Sequence, residues 1–126
     1  MTHKISGIPV AFISVSDRER ALTFYRDVLG FELRSSDDFG DFIQLDGALL
    51  RVTVLPDYHA HPHPVLGWNV QDIVATVRSM RARGVVCTVY EGMGQDELGI
   101  WTAPGGQAKV AWFADPDGNV LSVSQA

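Results

Sequence analysis

Residues 8–15, IPVAFISV, form a β-branched and aromatic run, and the segment after it, DRERALTFYRDVLG, changes period. There Ala21, Leu22, Tyr25, Val28 and Leu29 recur at the spacing of one helical face. Asp17 stands at the N-cap and Gly30 where a glycine ends a helix. Extended runs follow at FELRSS, DFIQLDG and ALLRVTVLP, with Asp46-Gly47 as a hairpin turn between the last two. Residues 8–56 thus read as a β-α-β-β-β module.

The order then repeats. VLGWNV reads as a strand, Asp72 caps a helix carrying Ile73, Val77 and Met80, and Gly84 ends it. VVCTVYE, KVAWFAD and NVLSVSQ supply three further predicted strands, giving a second module over residues 65–126. The two capping aspartates differ by 72 − 17 = 55 positions, an offset that sets Val15 on Val70 and Val10 on Val65. Each module is too small to bury its own sheet, so the duplication predicts one α+β domain over residues 1–126. Its two β-α-β-β-β modules pair around a concave mixed-sheet cleft. In the last strand, VLSVS, alternation puts Leu121 and Val123 on one face and Val120, Ser122 and Ser124 on the other. The first face is core, and the second offers hydroxyls to the cleft.

Two stretches fall outside the repeat. PDYHAHPHP is the linker, and residues 91–107, EGMGQDELGIWTAPGGQ, are a glycine-rich insertion. The insertion is either a lid over the cleft or a surface hairpin built on GIWTA.

Composition narrows the partners. A chain of 126 residues, 46% hydrophobic and 20% charged, suits one globular core. Its net charge of −5 and the lack of any Lys/Arg run argue against nucleic acid. No stretch approaches the ~20 apolar residues of a membrane span, and MTHKISG has no secretory pattern, so the expectation is a soluble cytoplasmic protein. The single Cys87, in the apolar run VVCTVY, reads as a buried structural thiol. His3 lies near the terminus, and Tyr25 falls on the apolar face of the first helix.

With the duplication, SDRERALTFYRDVLGFEL and AWFADPDGNVLSVSQ resemble the vicinal oxygen chelate superfamily, which includes glyoxalase I, extradiol dioxygenases, and fosfomycin and bleomycin resistance proteins. The resemblance covers nearly the whole chain and speaks for the fold, not for a reaction. DPDG itself is turn chemistry: Asp115 and Asp117 bond the backbone, Pro116 fixes φ, and Gly118 takes φ > 0. The resemblance implies metal ligands at Val10, Arg51, Val65 and Ser122. Two of these are aliphatic, one is a permanent cation without a lone pair, and one is a neutral hydroxyl, so no metal is expected there. The neighbouring positions Pro9, Phe12, Leu50, Val52, Leu66, Leu121 and Val123 are no better. His59, His61 and His63 form a rival metal set, but Pro62 and Pro64 interrupt them.

Alternation from those four positions predicts the cleft lining: Val10, Phe12 and Ser14; Leu49, Arg51 and Thr53; Val65, Gly67 and Asn69; Val120, Ser122 and Ser124. Arg51 either pairs with a ligand carboxylate or is neutralised internally by Asp96, Glu97 or Glu91. Trp101 and Trp112 are stacking walls for a planar ligand or core residues, and Trp68 packs under the second helix. No residue is assigned a catalytic role, and no cofactor is expected. The leading expectation is metal-independent binding, for sequestration or sensing, of a small anionic or partly aromatic molecule. An enzyme of the glyoxalase or dioxygenase type, a lyase, isomerase or oxygenase with a non-standard or absent metal site, is the alternative. A protein-binding module with a filled cleft is a third. The resemblance further implies a homodimer.

Overall fold

The computed structural model describes residues 4–126. The chain divides into two compact units, Met1–Tyr58 and His59–Ala126, and each is an α+β module with its own four-stranded mixed sheet. The division falls inside the PDYHAHPHP linker.

In the first unit, β1 (Val10–Val15) leads to α1 (Arg18–Leu22), which continues in wider π turns over Thr23–Val28. Asp17 caps the helix in extended conformation, its side chain accepting from the Arg20 amide at 3.0 Å. The wide turns are visible in Leu29 N donating to Phe24 O at 2.9 Å, five residues back, and Gly30 then ends the helix at φ 86°. Strands β2 (Glu32–Asp37), β3 (Gly40–Leu45) and β4 (Ala48–Val54) complete the module. The sheet order is β1-β4-β3-β2, with β1 parallel to β4 and the other pairs antiparallel. Gly47 turns the β3–β4 hairpin at φ 74°.

One face of this sheet is core. Ile13, Val15, Ile43, Leu45, Leu50 and Val52 are buried, as are Ala21 and Tyr25 of the helical segment. Strand alternation leaves Val10, Phe12, Ser14, Phe42, Leu49, Arg51 and Thr53 on the other, accessible face.

The second unit repeats the plan. β5 (Pro64–Asn69) is followed by α2 (Ile73–Ala82), capped by Asp72, which accepts from Ala75 N at 3.0 Å. Its C-terminus closes with Val85 N on Met80 O and Gly84 N on Arg81 O, both 3.0 Å, with Gly84 at φ 92°. Then come β6 (Trp101–Thr102), β7 (Lys109–Ala114) and β8 (Val120–Gln125), in the order β5-β8-β7-β6. Helix α2 packs on β7 and β8, burying Ile73, Val77 and Met80 on the side of Ala111, Phe113, Leu121 and Val123. Trp68 is on that side too, stacked on Phe113 at 6.4 Å. The DPDG turn is structural: the buried Asp115 accepts from the amides of Asp117 and Asn119 and from the Asn119 side chain.

One expected strand is absent. Residues 85–91 bury Val85 and Cys87 but form no ladder, and residue 91 already lies in a turn. The outer edge of β7 is shared: β6 takes it at Lys109 and Val110, leaving one bond from Thr88 N to Trp112 O at 2.7 Å. The side chain of Gln95 supplies the missing partners, accepting from Tyr90 N and donating to the carbonyls of Thr88 and Gly99. Of the two expectations for residues 91–107, the hairpin on GIWTA forms, as β6–β7. Asp96 pins its base by accepting from the amides of Leu98 and Ile100 at 2.9 Å each.

A steric constraint fixes the start of β3. A Cβ on Gly40 would lie 1.9 Å from the Val52 carbonyl oxygen, so the two backbones approach only because no side chain intervenes. Gly40→Ala is expected to destabilise the fold by about 2–4 kcal/mol, since backbone must move. Chemical denaturation checks this, and a change under about 0.5 kcal/mol would refute the close approach.

Candidate functional site

The accessible face of the first sheet carries a row of three residues in register: Phe12 on β1, Arg51 on β4 and Phe42 on β3. The Arg51 guanidinium carbon lies 4.7 Å from the centre of the Phe42 ring, a cation–π contact. Phe12 is 72% exposed, so an aromatic surface is offered beside the cation. The Arg51 side chain is only 12% exposed.

Arg51 is half satisfied. Its Nη2 donates to Asp37 Oδ1 at 2.8 Å, while Nη1 is buried with no hydrogen-bond partner among the described residues. This corrects the internal alternative for Arg51. Its counter-ion is Asp37, at the end of β2 in the same unit, and Asp96 is engaged by the amides of its own loop. Asp37 was missed because β2 carries an irregularity between Leu33 and Ser35, which breaks the simple alternation that would have placed it. Phe42 was missed too, although the two-residue turn at Asp46-Gly47 pairs Leu45 with Ala48 and hence Phe42 with Arg51.

The turn bearing Asp37 is held from two sides. Asp37 Oδ1 also accepts from the amides of Phe39 and Gly40, at 2.8 and 3.0 Å. From the helix, Arg18 Nη2 donates to the carbonyls of Asp37 and Gly40, and its Nε lies 3.5 Å, an ion-pair distance, from the buried Asp41, which accepts a hydrogen bond from Ser36 Oγ. The hydrogen bond from Arg51 is the main reason the Asp37 carboxyl is held below the usual aspartate range. The Phe39 amide lowers it further, partial desolvation opposes, and the Arg51 charge and the Gly40 amide add smaller effects.

In the second unit the equivalent row is Gly67, Ser122 and Trp112, with Asn69, Ser124 and Val110 beside it. Trp112 is half-buried between Tyr90, edge-on at 5.6 Å, and Trp101, tilted at 6.3 Å. Gly67 is tightly backed, because a Cβ there would lie 2.5 Å from Ser122 Oγ. The strand register shifts between Pro64 and Leu66, so Val65 stands at an irregularity and is half exposed. Thus Val10, Phe12, Ser14, Leu49, Arg51 and Thr53 share one accessible face, and Gly67, Asn69, Ser122, Ser124, Trp101 and Trp112 belong to the other unit.

Those positions do not suit a divalent metal. Val10 and Val65 have no donor atom, the Arg51 guanidinium has no lone pair, and Ser122 is a neutral hydroxyl. Among the described residues no three of His, Cys, Asp and Glu converge as ligands, and that includes His59, His61 and His63. His3 lies outside the described residues. Burial pushes the Cys87 thiol up, away from nucleophilic use. The cavity it helps line, with Val77, Arg81, Val85 and Leu98, is about 140 Å³, below the range of ordinary ligand sites. No helix among the described residues is long and apolar enough to cross a membrane.

Because Asp37 is depressed by Arg51, the pair stabilises the fold above the ordinary aspartate value, and this is lost as pH falls through the lowered one. Replacing Arg51 by Gln should move the Asp37 titration up, with part of the depression kept by Phe39 and Gly40. Carboxyl carbon resonances followed against pH measure this, and an unmoved Asp37 midpoint would show that the ion pair does not set it.

Comparison with known proteins places these modules. A glyoxalase / bleomycin resistance protein from Catenulispora acidiphila has 25% identity and a TM-score of 0.71, over 96% of this chain and 99% of that one. An antibiotic binding protein from a Streptomyces species has 24% identity and a TM-score of 0.69, over 98% of each chain. A fosfomycin resistance protein from Listeria monocytogenes has 14% identity and a TM-score of 0.73, over 98% of this chain and 95% of that one. The family model for the Glyoxalase/Bleomycin resistance protein/Dioxygenase superfamily matches residues 7–123, and the chain belongs to that superfamily.

Proposed function

We propose that this chain binds, without a metal and without transforming it, a small, partly aromatic molecule that presents an oxygen acceptor to Arg51. The observation carrying the reading is the buried, unpartnered Nη1 of Arg51 in a row with Phe12 and Phe42. An unfilled buried donor costs about 1–3 kcal/mol, and a ligand oxygen would recover it. Phe12 and Val10 add exposed apolar surface on the same face. Chemistry is less well supplied. The carboxylate nearest Arg51 is Asp37, already engaged by three donors and held below its usual range, which makes it a weak general base. The Streptomyces relative described as antibiotic binding is an instance of ligand capture on this fold, and ligand capture is the class of function proposed here.

The test is a melting-temperature screen of aromatic carbonyl and carboxylate compounds, followed by calorimetry of any hit with and without EDTA. Binding is expected to be indifferent to EDTA, and the compound should be recovered unchanged. Arg51→Gln should weaken it about tenfold or more, the loss expected for one hydrogen bond to a charged group. Binding that EDTA abolishes, turnover of the compound, or an Arg51→Gln protein that binds as well as the native one would each count against the proposal.

A further inference from the structure

We infer that Asp37 makes the Arg51 site a charge filter, which admits a neutral oxygen acceptor on an aromatic molecule, such as an amide, ketone or quinone carbonyl, and rejects a free carboxylate. The inference rests on the binding role just proposed for Arg51 and specifies the ligand class.

A lone guanidinium on an apolar sheet face would select anions, since its fork matches a carboxylate. This guanidinium is not alone. Asp37 Oδ1 occupies its Nη2 at 2.8 Å, so the site is neutral before any ligand arrives. Both edges that a carboxylate can grip bidentately, Nη1–Nη2 and Nε–Nη2, include the Nη2 that already donates to Asp37, and Nη1 is the buried nitrogen left without a partner. A carboxylate placed there would meet one cation and one anion on the same guanidinium, and the attraction and repulsion would largely cancel. Its desolvation would then go uncompensated. A carbonyl oxygen loses little on leaving water, suffers no such repulsion, and gains a charge-assisted hydrogen bond. Gln44, two residues along β3 from Phe42, has its side chain engaged at both ends: Nε2 with the carbonyls of Leu45 and Ala48, and Oε1 with Arg34.

Nor can Asp37 swing aside freely. Its carboxylate also holds the amides of Phe39 and Gly40, and Arg18 grips the carbonyls of the same turn. Displacing it would break the turn as well as the ion pair. The filter is therefore part of the backbone architecture.

Benzamide and benzoate, equal in shape and different in charge, are the probes. Each is titrated into the native protein, Asp37→Asn and Arg51→Gln while the backbone amide resonances of Gly40, Phe42 and Arg51 are followed. Asparagine keeps the side-chain oxygen the turn needs and removes the charge; Asp37→Ser, which can also accept from the turn amides, serves if the first variant does not fold. The native protein should prefer benzamide by about tenfold or more, and Asp37→Asn should shift the ratio toward benzoate by at least about tenfold, the effect of removing one adjacent like charge. Arg51→Gln should lose both probes. Benzoate binding the native protein as tightly as benzamide, or a ratio unchanged in Asp37→Asn, would overturn the filter and leave Arg51 as a binding residue. Failure of both probes on both the native protein and Asp37→Asn, or binding that survives in Arg51→Gln, would overturn the Arg51 site itself and the filter with it.

Discussion

Each module depends on a sheet that buries one face and must show the other. Because strand side chains alternate, the residues that fill the core at Ile13, Val15, Leu50 and Val52 dictate which ones stand opposite, and the accessible face has no independent choice. A slip of one residue would put Arg51 into the core beside Ile43 and expose Leu50. Burying an unpaired guanidinium there would cost several kcal/mol, so the hydrophobic pattern and the position of the charge enforce one register. What the protein can bind follows from the same alternation that lets it fold.

This is why so much could be read from the chain alone. Asp17 and Asp72 cap helices in equivalent places, the offset between them carries Phe12 onto Gly67, and each of these pairs in the same way with the last strand of its module, Phe12 with Arg51 and Gly67 with Ser122. The hairpin turn also encoded Phe42, since the sums 45 + 48 and 42 + 51 are both 93 and a two-residue turn fixes every pair at once. Asp37 was not encoded in this manner. It reaches Arg51 from the far end of β2, across an irregular strand, and its turn is set by side-chain bonds that periodicity does not describe. The missing strand at residues 85–91 has a similar origin. Its β-branched alternation is genuine, but β6 holds the neighbouring edge at Lys109 and Val110, and the Gln95 side chain takes the backbone groups of Thr88 and Tyr90 that a ladder would use.

The duplication clarifies how one backbone plan comes to hold two kinds of surface. The row Phe12, Arg51, Phe42 is a cation flanked by rings, whereas Gly67, Ser122, Trp112 is a flat dent with a hydroxyl and one large ring. In the second row the Ser122 hydroxyl stands in the space opened by the absence of a side chain at Gly67. Charge coupling keeps the first as it is: Arg51 on an apolar sheet needs Asp37, and Asp37 in turn stabilises the bend that brings β3 close enough to β4 for Gly40 to meet Val52.

Arg51 therefore has two roles that could conflict. As a structural cation it must be neutralised, and as a recognition group it must keep a donor free. The geometry reconciles them by dividing the guanidinium, one nitrogen for Asp37 and one left over, with the Phe42 ring covering the delocalised charge between. A lysine could not be divided so, because its charge is a single strongly hydrated point and its ammonium would turn wholly toward the carboxylate. A metal ligand at this position would face the opposite demand, a lone pair directed at a cation, and the Asp37–Arg51 pairing leaves the Arg51 side chain nothing of that kind to offer. The substitution of a donor for an acceptor at one strand position thus changes the class of partner the face can recognise while leaving the sheet that carries it intact.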